Sequence, residues 1–389
     1  MQSRRADYRT GLAFFGVMKE QLASPAAAIV RRAVRDGESY RPGTTLEQAR
    51  REYGIERIIK LSSNENPLGT SPLALAALKD IADLNIYVDN QYQELREKLA
   101  RKLGVGPENV TVGHGSNELL ELMFETFVDR GERVIMATPT FSLFPQNAQL
   151  REAESIQIPL KDGVHDLEAM ADAVDSNTKL VLICDPNNPT ATSIAPQAME
   201  KFLSRLPSDV LLSFDQAYRE FMPDGVDGVA LAMRRPNTLV YRTMSKAYGL
   251  AALRIGYVIG QADVIGYMQQ VRLPFNVTRA SLVAALAALD DDAFVARSVR
   301  VNAEQRERLE REFKRLGLFV YPSAANFIAV AVPIGANQAY VDLLKLGIAV
   351  RSGDALRLPG FLRITVGTAE ENDAVLAAFE RLLPTWKPS

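Results

Sequence analysis

Lys246 sits where a lysine can serve as a nucleophile. Its segment, Thr243-Met244-Ser245-Lys246-Ala247-Tyr248-Gly249, is mostly apolar, with a hydroxyl on either side at Thr243 and Tyr248. Desolvation in such a setting lowers an ammonium pKa and leaves an amine able to attack an aldehyde. Further along, Arg254 offers a planar fork suited to a phosphate oxyanion. Ser245 and Thr243 add hydroxyl donors beside it. Together these groups describe a seat for pyridoxal phosphate, with its aldehyde on the lysine. A lysine next to a serine is more often a surface residue, so the rest of the chain has to decide.

Other chemistry-bearing residues follow short apolar runs. Asp215 closes the run 210–214. A carboxylate there can pair with the pyridine nitrogen and keep it protonated, which makes the ring an electron sink; the competing reading is an aspartate that caps the next helix. Tyr218, and Asn188 within Asn187-Asn188-Pro189-Thr190, could both hydrogen-bond the ring's 3-oxygen. Ser116 and Asn117 open a helix after Gly115, where free N–H groups and the helix dipole favour a phosphate. Phe141, after a strand and Pro139, is placed to stack on a flat ring.

The elements that would position these groups alternate. Strands are predicted over 110–112, 134–137, 180–184, 210–214 and 238–241, and helices over 73–83, 93–103 and 119–128. Ser24 and Pro25 predict a further helix over 26–34, and 61–69 reads as a turn-rich loop. Alternation of this kind implies crossover connections and a mostly parallel sheet flanked by helices, which binds ligands at the carboxyl ends of its strands. Helices over 282–289 and 292–316 then leave that sheet. Strands near 320, 327–332, 348–350 and 361–366 and a helix over 370–383 predict a smaller α+β unit. The expected division is an arm and part of the small domain over 1–58, a large domain over 59–284, and a C-terminal small domain over 285–389.

A chain of 389 residues suggests two domains. With 47% hydrophobic and 24% charged residues it reads as soluble and globular. A net charge of -2 gives no reason to expect a nucleic-acid partner. Cys184 is the one cysteine and lies in an apolar run, which suits a buried thiol and a reducing cytoplasm. Two histidines, His114 and His165, predict no metal site. The apolar runs are too short to span a bilayer, which needs about 20 residues.

Six stretches carry a family resemblance: Ser63-Asn64-Glu65-Asn66-Pro67, Gly115-Ser116-Asn117-Glu118, Pro186-Asn187-Asn188-Pro189-Thr190, Asp215-Gln216-Ala217-Tyr218, the segment 243–256, and Leu362-Arg363-Ile364-Thr365-Val366-Gly367-Thr368. In type and order they resemble the fold-type I pyridoxal-phosphate-dependent aminotransferases, most closely the histidinol-phosphate aminotransferase branch. The resemblance implies a homodimer that moves an amino group from a small-molecule donor to a 2-oxo acid by ping-pong transfer. It implies that Lys246 carries the cofactor, Asp215 pairs with the ring nitrogen, and Asn188 and Tyr218 hold the 3-oxygen. Ser116, Asn117, Thr243, Ser245 and Arg254 would hold the phosphate, and Phe141 would stack on the ring. Tyr87 matches the tyrosine lent to the neighbouring subunit's phosphate, and Arg363 and Arg351 match the substrate-binding arginines. A threonine-phosphate-like decarboxylase is the alternative on the same scaffold, and a non-catalytic regulator is disfavoured because neither the 58 leading residues nor the acidic balance supports a DNA-binding domain.

Four positions depart from the family pattern: Ala191 and Ala252 replace glycines, Val88 a proline and Gln216 a glutamate. Alanine tolerates positive φ poorly, so these backbones are expected either in ordinary regions or in shifted loops. Apolar Leu68 and Phe141, with a turn at Arg351-Ser352-Gly353, leave few donors for a dianion. They favour an amino acid with an apolar or aromatic side chain over histidinol phosphate.

Overall fold

A computed structural model of the chain describes residues 28–37, 54–55 and 57–386. After the two-residue strand β1 (Ile59–Lys60), seven strands build the main sheet: β2 (Val110–Gly113), β3 (Arg133–Thr138), β4 (Glu154–Pro159), β5 (Thr178–Cys184), β6 (Leu211–Asp215), β7 (Thr238–Thr243) and β8 (Gly256–Ile259). Their order is β2-β8-β7-β6-β5-β3-β4. Only β8 runs antiparallel to its neighbours. Both faces are covered. Along β5, Val181 and Ile183 enter one core while Leu180, Leu182 and Cys184 enter the other. A strand buried on both faces reads as an unbroken apolar run, which is why β5 was legible. β4 was not: it is a half-exposed edge strand with Glu154, Ser155 and Gln157 among its six residues.

The smaller unit holds β9 (Phe327–Ala331), β10 (Ile348–Ala349), β11 (Arg351–Ser352) and β12 (Phe361–Thr365), with β11-β12-β9 antiparallel. Its core gathers Phe313, Ile328, Leu362, Phe379 and Trp386. Two expectations change here. The stretch from Arg351 is a strand paired with β12 rather than a turn. Residues 59–61, expected to open the large domain, belong to the small one: β1 pairs in parallel with β10, and Leu61 enters the small core.

Most helices match their predictions to within a few residues. Gln93–Leu103 ends as expected on left-handed Gly104. The helix expected over 119–128 begins earlier, at Gly115, and runs to Phe127. The helix expected over 73–83 stops at Lys79, capped at its start by the Ser71 side chain. The segment expected over 26–34 lies partly outside the described residues; its described part is helical only over Arg32–Arg35. The long helix Asp292–Arg315 ties the two units together, with Phe313 in the small core and Ser298 bonded to Asn66. Among the described residues no helix is long and apolar enough to cross a membrane.

Candidate active site

The carboxyl ends of β5, β6 and β7 open into a cleft of about 310 Å³ between the two units. Ser116, Asn117, Phe141, Asn188, Asp215, Tyr218, Thr243, Ser245, Lys246, Arg254, Arg351 and Arg363 all line it. Twelve of the thirteen site residues singled out in the sequence thus meet in one place. The other, Tyr87, lies outside the cleft; it is 78% exposed and stacks on Phe275 at 4.5 Å between ring centroids. Tyr248, expected to flank the lysine with its hydroxyl, packs in the large-domain core and does not line the cleft.

Lys246 follows β7 on a tight loop. Thr243 Oγ1 accepts from the Ser245 amide at 3.1 Å, and the Gly249 amide closes a turn onto the Lys246 carbonyl at 3.0 Å. Gly249 adopts φ 69°, and a Cβ there would stand 2.0 Å from the Gly69 carbonyl oxygen. Only glycine lets the 62–70 segment pack so closely on the lysine loop. The Lys246 amine donates to the Ser63 carbonyl at 3.2 Å. Desolvation, with the Arg363 and Arg254 charges adding to it, lowers its pKa to about 7. Asp215 ends β6, and its Oδ1 accepts from the Ala217 amide at 3.0 Å. Burial raises its pKa to about 6, opposed by that amide and by Lys246.

At one end of the cleft the helix Gly115–Phe127 points its first turn, with Ser116 and Asn117, toward Arg254. A Cβ on Gly115 would meet Arg254 Nη2 at 2.4 Å, so the glycine admits the guanidinium to the helix terminus. Arg254 also donates to Ser245 Oγ at 3.4 Å and has no carboxylate partner among the described residues. A half-buried cation, two hydroxyls and a helix N-terminus form a cradle for a phosphate.

The opposite wall comes from the small unit. Arg351 and Arg363 are cross-strand partners in the β11–β12 pair, so their side chains leave the same face, and both are buried against the cleft. Arg363 donates to Asn188 Oδ1 at 2.8 Å and to the Ser62 carbonyl at 2.7 Å. Asn188 Nδ2 approaches the Tyr218 hydroxyl at 3.5 Å. Cys184 is buried and borders the cleft, with desolvation pushing its thiol pKa up. His165 lies behind it, accepting from the Cys184 amide at 3.4 Å, and burial lowers its pKa to about 4.

Sequence reasoning missed the segment Ser62-Ser63-Asn64, which touches Arg363, Lys246 and Tyr218 in turn. Its signal was present, since Asn64 stands in a quoted motif and asparagine is among the few residues at ease with positive φ. Of the four departures, Ala191 adopts a left-handed backbone at φ 64°, so it does not lie in the ordinary region that alanine favours. Ala252 lies in an ordinary 3-10 turn. Gln216 is buried, accepting from Arg242 at 2.9 Å and donating to the Val226 carbonyl at 2.9 Å.

Residues 56–379 match the family Aminotransferase class I and II. The histidinol-phosphate aminotransferase of Halalkalibacterium halodurans is 42% identical over 347 residues, 88% of this chain and 94% of that protein. That of a Geobacillus strain is 44% identical over 347 residues, 88% of this chain and 95% of its own. The crystal structure of the Sinorhizobium meliloti histidinol-phosphate aminotransferase in complex with pyridoxal-5'-phosphate superposes with a TM-score of 0.83 at 28% identity, covering 92% of this chain and 98% of that one. The chain belongs to the class I and II aminotransferases. It is a fold-type I, pyridoxal-phosphate-dependent aminotransferase acting on small molecules. The cleft fits that cofactor: it joins a phosphate cradle, a lysine of lowered pKa and a buried carboxylate.

Proposed function

We propose that the chain transfers the amino group of histidinol phosphate to a 2-oxo acid, as a cytoplasmic homodimer. The observation that carries the substrate reading is the side-by-side pairing of Arg351 and Arg363 on the cleft wall. Two guanidiniums from one face of a strand pair match the charge of a phosphate dianion. This removes one of the two reasons for preferring an apolar amino acid, the turn at Arg351; the other, apolar Leu68 and Phe141, is outweighed by the paired charges. The relatives named histidinol-phosphate aminotransferases support the same substrate.

Bound pyridoxal phosphate supplies an aldehyde for the amine and a ring that stores the electron pair released at the substrate's α-carbon. Ser116, Asn117, Thr243, Ser245 and Arg254 hold its phosphate, and Asp215 keeps a proton on its ring nitrogen. Asn188 and Tyr218 hold its 3-oxygen, and Phe141 packs on its face. Lys246 would carry the cofactor, through its amine of lowered pKa, and give it up to the substrate's amine. Its freed Nζ, neutral above about pH 7, would then take the α-proton as general base. The same arginine pair receives the carboxylate of the 2-oxo acid, so one site serves both halves of the exchange. Transfer is preferred to decarboxylation because the relatives near 42% identity are aminotransferases.

The homodimer reading draws on an exposed apolar patch of Leu84, Ile86, Tyr87, Leu273 and Phe275. A patch of this kind on a soluble protein marks an interaction surface. Tyr87, exposed within this patch, is the residue that would enter a second copy's cleft.

The test is a single-turnover half-reaction with cofactor-loaded protein. Histidinol phosphate should discharge the visible cofactor band faster than phenylalanine. Faster discharge by phenylalanine overturns the substrate reading. Release of CO2 from phenylalanine, with recovery of the band and no 2-oxo product, means decarboxylation instead.

A further inference from the structure

The segment joining β1 to the large domain runs directly beneath the working groups. Ser62 offers its carbonyl to Arg363, Ser63 offers its carbonyl to Lys246, and Asn64 reaches the Tyr218 hydroxyl with its side-chain amide at 3.0 Å. Asn64 is 1% exposed and held in a left-handed conformation at φ 54°. Thr365 fixes it twice: its Oγ1 accepts from the Asn64 backbone amide at 2.9 Å and donates to Asn64 Oδ1 at 3.3 Å. Asn326 Nδ2 donates to the Asn64 carbonyl at 3.1 Å. The donation from Thr365 commits Oδ1 as acceptor, so Nδ2 must be the atom that faces the phenol.

A phenol oxygen has one proton to give and lone pairs to fill. With Asn64 donating into one lone pair and Asn188 Nδ2 approaching at 3.5 Å, neither amide competes for the proton. We propose that Asn64 is a positioning residue for Tyr218: its amide N–H fills a lone pair on the phenol oxygen, so that the phenol proton points into the cleft, and its own anchoring to Thr365 and Asn326 ties that orientation to the small domain. This rests on the reading of Tyr218 as a partner of the cofactor's 3-oxygen. A hydrogen bond to the ionised 3-oxygen favours the form of the Lys246-linked cofactor that has lost its proton. Losing that bond raises the pH at which the visible band changes. The titratable and charged groups facing the phenol are Arg363, Asp215 and the buried Cys184 thiol, with Lys246 Nζ 5.8 Å from the ring centroid.

The experiment is a pH titration of the visible band on cofactor-loaded Asn64→Asp, Tyr218→Phe and the double variant. Aspartate suits the left-handed backbone but offers no donor, so the phenol proton turns toward it. Both single changes should raise the midpoint by about one pH unit, a tenfold shift in the proton equilibrium. The double variant should match Tyr218→Phe alone. Asn64→Gly, which also accepts φ 54°, serves as an uncharged second variant and should shift the midpoint in the same direction. An unshifted midpoint in both Asn64 variants, beside a shifted Tyr218→Phe, overturns the role of Asn64. Additive shifts in the double variant also overturn it, because Asn64 then acts independently of the phenol. An unshifted Tyr218→Phe overturns the underlying assignment of Tyr218 instead.

Discussion

Burial pushes Lys246 and Asp185 in opposite chemical directions, because it disfavours whichever form is charged. Lys246 falls to about 7, so its amine is free above neutrality. Capture of pyridoxal phosphate by the apo-protein should therefore speed up as pH rises toward 7 and level off above it, which stopped-flow absorbance measures. Lys246→Ala should abolish transamination and leave no borohydride-fixed peptide at that position. Asp185, whose Oδ1 accepts from the Ile194 amide at 2.9 Å, is raised to about 7. Its folded pKa exceeds its unfolded one, so its contribution is fully present below about pH 4 and lost as pH rises through about 7. Asp185→Asn should flatten the fall in stability across that window in denaturant titrations; an unchanged slope would assign it to another group. Arg363→Ala removes one partner of a buried charge contact and should cost about 2–5 kcal/mol in kcat/KM.

At the scale of elements, the cleft was legible because its residues stand at the ends of strands buried on both faces. The runs before Asp185 and Asp215 are continuous, and the ligand-bearing residues follow them directly. What stayed hidden had weak local patterns. β8 is four residues long, and β11 is two residues whose pairing with β12 depends on distant chain. Ser62 and Ser63 act through backbone carbonyls, which no side-chain pattern records. Ala191 shows how a local rule yields to packing. Its left-handed φ costs about 1 kcal/mol, yet its methyl is fully buried, and its amide donates to the Asn187 carbonyl at 2.7 Å. Ala191→Gly would relieve the strain but lose a buried methyl worth about 0.8 kcal/mol and gain chain entropy in the unfolded state. The net change should be neutral to about 1 kcal/mol destabilising by chemical denaturation. Stabilisation beyond that would mean the loop is more strained than its hydrogen bonds indicate.

At the scale of the whole molecule, the cleft lacks one expected contributor: Tyr87 stands on the surface with Leu84, Ile86, Leu273 and Phe275. A two-fold symmetric contact through this patch would bury the same residues on both copies and carry each Tyr87 toward the other cleft. Sedimentation should then show a dimer, and charge placed in the patch by Ile86→Glu should weaken it. The sharper test mixes lesions. With Tyr87→Phe shown first to impair activity alone, it is combined one to one with Lys246→Ala and the subunits are allowed to exchange. In a hybrid, the site built on the intact Lys246 receives its tyrosine from the other chain and is whole, while the second site carries both lesions. Half of the dimers are hybrids and half of their sites work, so activity should recover to about a quarter of wild type plus the residual from Tyr87→Phe homodimers. If Tyr87 serves its own chain's cleft, or none, the mixture simply averages its parents. No recovery despite exchange proven by differently tagged chains would therefore rule out Tyr87 as a residue lent between subunits.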